Sequence, residues 1–562
     1  MDDSIQHLEN YNLLPTEMHL TAYFKPRYLA VAIGSLFLVA CGGGGGSSTP
    51  ANTAPVTPST PEVPSTPAAP PPYTITPGKL TAKFVAGYPI TITAKASQTT
   101  TFVGIAYIKM NADSNVIESV QTKIDTDGSV AVTVATSASA TAGHYAGNIT
   151  VDVCKDTNCT AQLEGAPFKV PYVIDVISPA GGATTSNLTT LVPLPGAGDW
   201  SGYQANPAHT GLVPVTLSAS AFNVRWKYET PAVNGRQMSI SDVVTGNGQL
   251  YFSTGPYYDG NAHGHLLLAL KEQDATQAWV HDFADLSYAT TNPPGYANGK
   301  VYLSAGSQQS TAMFGFDAMS GTQLFKTPTS SQWEHYLAPV VLGGSVYSEG
   351  GTYGGMFAFD ANAGSQQWFA RLAQIDGWTP AVDANNTYVY LRTQLYVHNR
   401  LTGAAVGQTT DTGTDWSDYG ATPMLGAANH VIVASTSALT DFDASALVAR
   451  WKVDGKYLRG SAYDNKVVFA LRDKSLALEA RNEADGSLAW SWTPPATVKQ
   501  WLGNIVLTNN LVFVSTDTAT YAIDRNTHMS VWTYPAGGKL LLSSNGVLYI
   551  NSPTSILAIN VR

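Results

Sequence analysis

The ten residues 359–368 read FDANAGSQQW, an apolar strand end, then aspartate, a short polar turn and a tryptophan eight positions after the aspartate. Aspartate suits such a turn because its short side chain can bond its own backbone. Moving outward, the same register recurs as LKEQDATQAW (270–279), FDAMSGTQLF (316–325), HNRLTGAAVG (398–407), FDASALVARW (442–451), RNEADGSLAW (481–490) and IDRNTHMSVW (523–532). The turn residue is Lys271, Asp317, Asp360, Asn399, Asp443, Asn482 or Asp524, and the residue eight positions on is Trp279, Phe325, Trp368, Gly407, Trp451, Trp490 or Trp532. Two apolar segments precede each turn, for example GGSVYSEGG and GMFAFD. The unit is strand, turn, strand, strand, polar turn, strand, and these turns lie 39 to 46 residues apart.

A four-stranded unit of that period marks a β-propeller blade. An eighth turn falls at Asn560 in SILAINVR, where the last unit stops after three strands because the chain ends. FNVRWKYETP, with Trp226, stands unclaimed before the first full unit. Its strand is expected to complete the last blade and close an eight-bladed ring, leaving no open edge. The repeats resemble the quinoprotein-like or PQQ repeat, over roughly residues 198–562. DWSGYQANPAHTGLVPV (199–215) resembles the Trp-x10-Gly lead-in of that family.

Upstream, Lys25 and Arg27 precede a 13-residue apolar run, Tyr28–Ala40, which suits a signal-peptide core better than a membrane span. Residues 1–17 are acidic where a signal peptide is basic, so Met18 is the expected start. Leu38-Val39-Ala40-Cys41 resembles the lipobox of bacterial lipoproteins, which implies cleavage before Cys41 and lipid on its thiol. Gly42, in place of aspartate, implies outer-membrane sorting by the same resemblance. Residues 41–72 then form a Gly- and Pro-rich tether. From 73 to 178, short alternating runs such as GSVAVTVATS point to an antiparallel β-sandwich resembling immunoglobulin-like modules. With Cys41 lipidated, Cys154 and Cys159 are the two remaining thiols, and a disulfide between them is expected. Residues 179–197 read as a linker. The fold class is therefore all-β, a sandwich followed by a propeller.

Hydrophobic residues make up 44% and charged residues 12%, with net charge −10 and no basic run after residue 27, which argues against nucleic acid as a partner. Proteins with this propeller fall into two groups. Dehydrogenases use pyrroloquinoline quinone and calcium, and often an adjacent cysteine pair. Here no cysteine follows Cys159, and the turn aspartates are spread evenly through the scaffold. No cofactor and no metal are expected, and the dehydrogenase is the alternative reading. The other group resembles the propeller lipoproteins of the outer-membrane β-barrel assembly machinery, although those lack the long tether and the sandwich. That resemblance implies a non-enzymatic, membrane-anchored scaffold, at the periplasmic face of the outer membrane or the cell surface, binding a protein or an envelope polymer.

The expected partner site lies on the loops from each outer strand to the next inner strand, which gather at one end of the channel. They are aromatic, with Tyr336, Trp378, Tyr419, Tyr457 and Trp501 in aligned positions and Glu334, His335, Asp376, Asp418, Arg459 and Lys499 among them. Exposed rings with polar neighbours would hold a peptide, strand or glycan, and the alternative is that these rings fill gaps between blades. The tryptophans after the polar turns, Trp279, Trp368, Trp451, Trp490 and Trp532, are expected in the core. His263 and His265 read as part of a polar loop, since two histidines without a third ligand do not make a metal site.

Overall fold

A computed structural model describes residues 70–562, apart from 100–105, 125–128, 234–235, 256–263, 287–288, 308–309, 332–335, 352 and 412–420. Cys41, the signal segment, nearly all of the tether, Tyr419, Glu334, His335, Asp418 and His263 lie outside the described residues.

Residues 73–177 build two four-stranded sheets. One runs in the order Tyr73–Thr76, Thr91–Gln98, Val130–Thr136, Ile117–Ile124; the other in the order Leu80–Val85, Phe168–Ile177, Gly143–Cys154, Tyr107–Ala112. Alternation decides their faces. Val130, Val132 and Val134 point inward from one sheet and meet Val151, Val153 and Ile174 of the other in a single core. Cys154 and Cys159 are disulfide-bonded. Within that loop the Asp156 carboxylate accepts the backbone N–H groups of Asn158, Thr160 and Ala161. Those bonds, led by the one from Thr160, hold its pKa down to about 2.

The segment expected to be a linker is not one throughout. Gly182–Thr185 forms a strand on the outer side of Asn223–Glu229, so a stretch with no apolar pattern is fixed by main-chain pairing alone. The physical reason is the open edge of Asn223–Glu229, whose donors and acceptors this strand satisfies. Asn223–Glu229 in turn pairs antiparallel with Ser555–Asn560, joining the two ends of the repeat region in the sheet that also holds Lys539–Leu542 and Val547–Asn551.

Between those ends the chain makes antiparallel sheets one after another, each inner strand followed by two buried strands and an outer one. A representative sheet is Val340–Leu342, Ser345–Glu349, Gly355–Asp360, Gln366–Arg371. Its second and third strands are buried on both faces, and only its outer strand alternates with solvent. This sequential ring of sheets is a β-propeller.

The repeat motif is explained by contacts between neighbouring blades. Asp360 Oδ1 accepts the N–H groups of Asn362 and Ala363 at 2.9 and 2.7 Å, closing the turn. Asp317, Asn399, Asp443 and Asp524 do the same in their turns. The Trp279 indole donates to Ala318 O at 2.8 Å, Trp368 to Arg400 O at 3.1 Å, and Trp451 to Glu483 O at 2.7 Å. Each acceptor lies one residue past the turn residue of the following blade. Gly321, with φ of 70°, lies under the Trp279 ring, where a Cβ would come within 2.5 Å of it. Where the motif loses its tryptophan, at Gly407, the Leu447 side chain of the next turn occupies the space a Cβ would need. Trp279 and Trp368 are buried; Trp451, Trp490 and Trp532 are half-buried.

Candidate functional site at the channel mouth

The lead-in segment 200–211 follows the inner strands around the channel. Thr245 N donates to Trp200 O, Tyr296 N to Ser201 O, Val382 N to Pro207 O, Leu425 N to Ala208 O, Tyr463 N to Thr210 O and Leu507 N to Gly211 O, all within 2.7–2.9 Å. As the acceptor advances along the segment, the donor advances from blade to blade. Gln204 ties the segment down, its Nε2 donating to Gly460 O, Ser461 O and Ile505 O. The last residue of the Trp-x10-Gly pattern is accounted for here. Gly211 has φ of 64°, and a Cβ would come within 2.8 Å of both Gln204 Nε2 and Ile505 O.

Two adjoining cavities open at the end where the outer-to-inner loops converge, and they share Asp242, Leu337 and Lys539. The first, about 450 Å³, presents hydroxyl and amide groups of Ser239, Ser241, Thr290 and Asn292 in a lining that also includes Ile240, Pro293, Tyr336 and Leu337. The second, about 420 Å³, has an apolar floor of Trp200, Val243 and Leu541 and carries Lys456 and Arg459. Between them Lys539 is ion-paired with Asp242. Lys456 meets Asp473 at 3.0 Å, and Arg459 Nη1 donates to Gly377 O, in a loop of a different blade, at 2.7 Å. Among the described residues, Asp242, Lys539 and Lys456 of the mouth are thus paired within the protein, and hydroxyl and amide groups stand in a mainly apolar lining.

The four described aromatic residues expected at the funnel floor are buried, which is the gap-filling alternative. Relative exposures of Tyr336, Trp378, Tyr457 and Trp501 are 6%, 1%, 2% and 5%. Their rings wedge between blades at the start of each inner strand, where burial of a large ring outweighs anything exposure would gain. The Trp378 indole donates to Ile375 O and the Trp501 indole to Arg472 O. The Tyr457 hydroxyl donates to Glu479 Oε2 at 2.8 Å and accepts from Arg472 Nη2, whose guanidinium also lies over the ring. Tyr336 and Tyr457 still contribute to the cavity walls, and Arg459 reaches the mouth as its position suggested. His265 is buried on the wall of the first cavity. Sequence reasoning did not single out Asp242, between the strands Ser239–Ile240 and Val244–Gly246, or Lys539, which opens the strand Lys539–Leu542, because neither lies in the aromatic loops; Leu337 stands next to Tyr336 in one of them.

A calcium-held quinone needs several carboxylate and amide ligands beside it. Asp242 is tied to Lys539, and among the described residues no three His, Cys, Asp or Glu side chains are placed to hold a metal ion. The described residues of the mouth do not fit that group.

The family described as outer membrane protein assembly factor BamB matches residues 262–492. No curated protein matches the chain. Among solved structures, Hsv2 of Kluyveromyces lactis aligns at 11% identity and a TM-score of 0.35, covering 53% of this chain and 98% of that one. The Pan2 WD40 domain of Neurospora crassa aligns at 8% identity and 0.35, covering 49% and 88%. The sheets and the family match together define an all-β chain with a propeller of PQQ-type repeats.

Proposed function

We propose that this chain is a lipid-anchored scaffold of the bacterial envelope, non-enzymatic, whose propeller mouth receives a protein or an envelope polymer. The observation that carries it is the BamB-type repeat match over residues 262–492, joined to a mouth whose mainly apolar walls carry hydroxyl and amide groups and the Asp242–Lys539 pair. Such a surface suits recognition of a partner by apolar contact together with a few directed hydrogen bonds. Cys41 is the lipid attachment point in this reading, residues 41–72 the stalk, residues 73–178 an immunoglobulin-like module, and 198–562 an eight-bladed propeller. Asn223–Glu229 serves as the outer strand of the eighth blade. The anchor places the protein in the outer membrane, facing the periplasm or the cell surface.

The test is photo-crosslinking in intact cells, with a crosslinking residue at Leu337 or Lys539 and a control on an outer strand, such as Leu488. A discrete adduct from the mouth positions and none from Leu488 supports the reading. Saturable binding of pyrroloquinoline quinone with Ca²⁺, accompanied by dye-linked alcohol oxidation, would replace it with a dehydrogenase.

A further inference from the structure

Adjoining the second mouth cavity is a small chamber that shares Tyr203, Gln204, Arg459 and Gly460 with it. It leaves about 10 Å³ for the centre of a water-sized sphere. Four buried polar atoms on its lining residues lack a well-formed hydrogen bond in the protein, the hydroxyls of Tyr203, Thr422 and Ser461, and Nε2 of His209, although the Tyr203 hydroxyl still feels the Thr422 side chain and the Gly460 main chain. Tyr203 and His209 come from the lead-in segment. Thr422 and Ser461 stand just before the inner strands Met424–Leu425 and Ala462–Asp464 of two successive blades. Convergence of these poorly paired groups on one small space is a costly arrangement unless something joins them.

The chemistry of the set narrows what that can be. His209 Nδ1 lies 2.8 Å from Pro423 O, and a carbonyl only accepts, so Nδ1 carries the proton and Nε2 presents a lone pair. Burial holds this imidazole neutral, its pKa pushed down to about 4. A bound group must therefore donate to Nε2. A cation would do so but would find no carboxylate on the chamber wall and a guanidinium at its edge. An anion would meet the imidazole lone pair. A neutral molecule that both gives and takes hydrogen bonds satisfies the imidazole and the hydroxyls together, and the space suits one of water's size.

We propose that this chamber is a fixed water site, in which one water donates to His209 Nε2 and bridges the lead-in segment to the two blades through Tyr203, Thr422 and Ser461. The site is a property of the folded propeller and does not depend on what the mouth binds.

Two measurements on the full chain test it. In a crystal structure at about 1.5 Å, a single peak within hydrogen-bond reach of Nε2 and at least two of the hydroxyls is expected, and xenon-pressurised crystals should show no xenon there. An empty chamber, a xenon peak, or the anomalous signal of an ion would overturn the proposal. The second measurement uses Thr422→Val, which keeps the side-chain shape. Removing one of the water's partners should lower the melting midpoint by about 1–3 °C. In a dry chamber the same change relieves an unmet hydroxyl, so a raised midpoint overturns the proposal. Ser461→Ala should agree in sign.

Discussion

The indole nitrogen of Trp226 donates to the main-chain carbonyl of Glu272 at 2.9 Å, joining the strand that closes the ring to the first polar turn. It is the same bond that Trp279 makes to Ala318, Trp368 to Arg400 and Trp451 to Glu483, so the seam is built like those blade junctions.

Trp226 is fully buried and packs on Tyr549, with ring centroids 5.5 Å apart. Trp226→Ala should cost about 3–5 kcal/mol from the lost ring and the cavity left behind. Thermal denaturation should show a midpoint several degrees lower, and the loss should exceed that for the half-buried Trp532→Ala. Equal losses would mean that the seam is no more tightly packed than the rim.

The Gly407–Leu447 relation gives a reciprocal test. Gly407→Trp alone should destabilise, because Leu447 fills the place where the ring would go. Leu447→Gly alone should also destabilise, by vacating that space. The double variant restores the tryptophan-over-glycine pairing seen at Trp279 and Gly321, so urea midpoints should give a favourable coupling of about 1–3 kcal/mol. Strict additivity would refute the exchange.

Beside the seam, the Glu272 carboxylate accepts from Asn545 Nδ2 and the Tyr549 hydroxyl, yet burial dominates and pushes its pKa from 4.5 up to about 7. The folded form therefore holds a proton that the unfolded chain has lost between those two values. Stability from this group is greatest below about pH 4.5, declines as pH rises toward 7, and is level above that, with a ceiling of roughly 3 kcal/mol. Glu272→Gln should remove this slope. Urea midpoints for both forms at pH 5 and pH 8 would measure it, and an unchanged difference between the two pH values would refute the assignment.

Because their rings are packed between blades, Trp378→Ala and Trp501→Ala should each cost about 3–5 kcal/mol of stability. Loss of partner capture in those variants would then report unfolding, not recognition. Unchanged melting of either would return its ring to the candidate surface. Leu337 and Lys539 are the better positions from which to probe binding.

The polar turns, the strand order within a repeat and the role of FNVRWKYETP were legible because each rests on local spacing: an aspartate bonding two or three residues on, or a tryptophan eight positions past it. Contacts between blades were not. Nothing in KYLRGSA says that Tyr457 will be pinned between Arg472 and Glu479, since those partners come from other strands of the blade it leads into. GATT at 182–185 carries no apolar rhythm, because its strand is set by the edge it covers and all four residues are exposed. The lead-in family pattern marked Trp200 and Gly211, but its course around the channel depends on the inner strands of blades far along the chain.

That course has a consequence for how the molecule is made. During synthesis residues 200–211 emerge before any blade, yet their carbonyls are taken up one at a time by amides that follow, from Thr245 to Leu507. The hub is the first part of the propeller to appear and the last to be satisfied, so a chain halted before Leu507 keeps bare acceptors at its centre. Completion of the wheel is thereby reported to its own axle, and an unfinished chain is marked from within as unfinished.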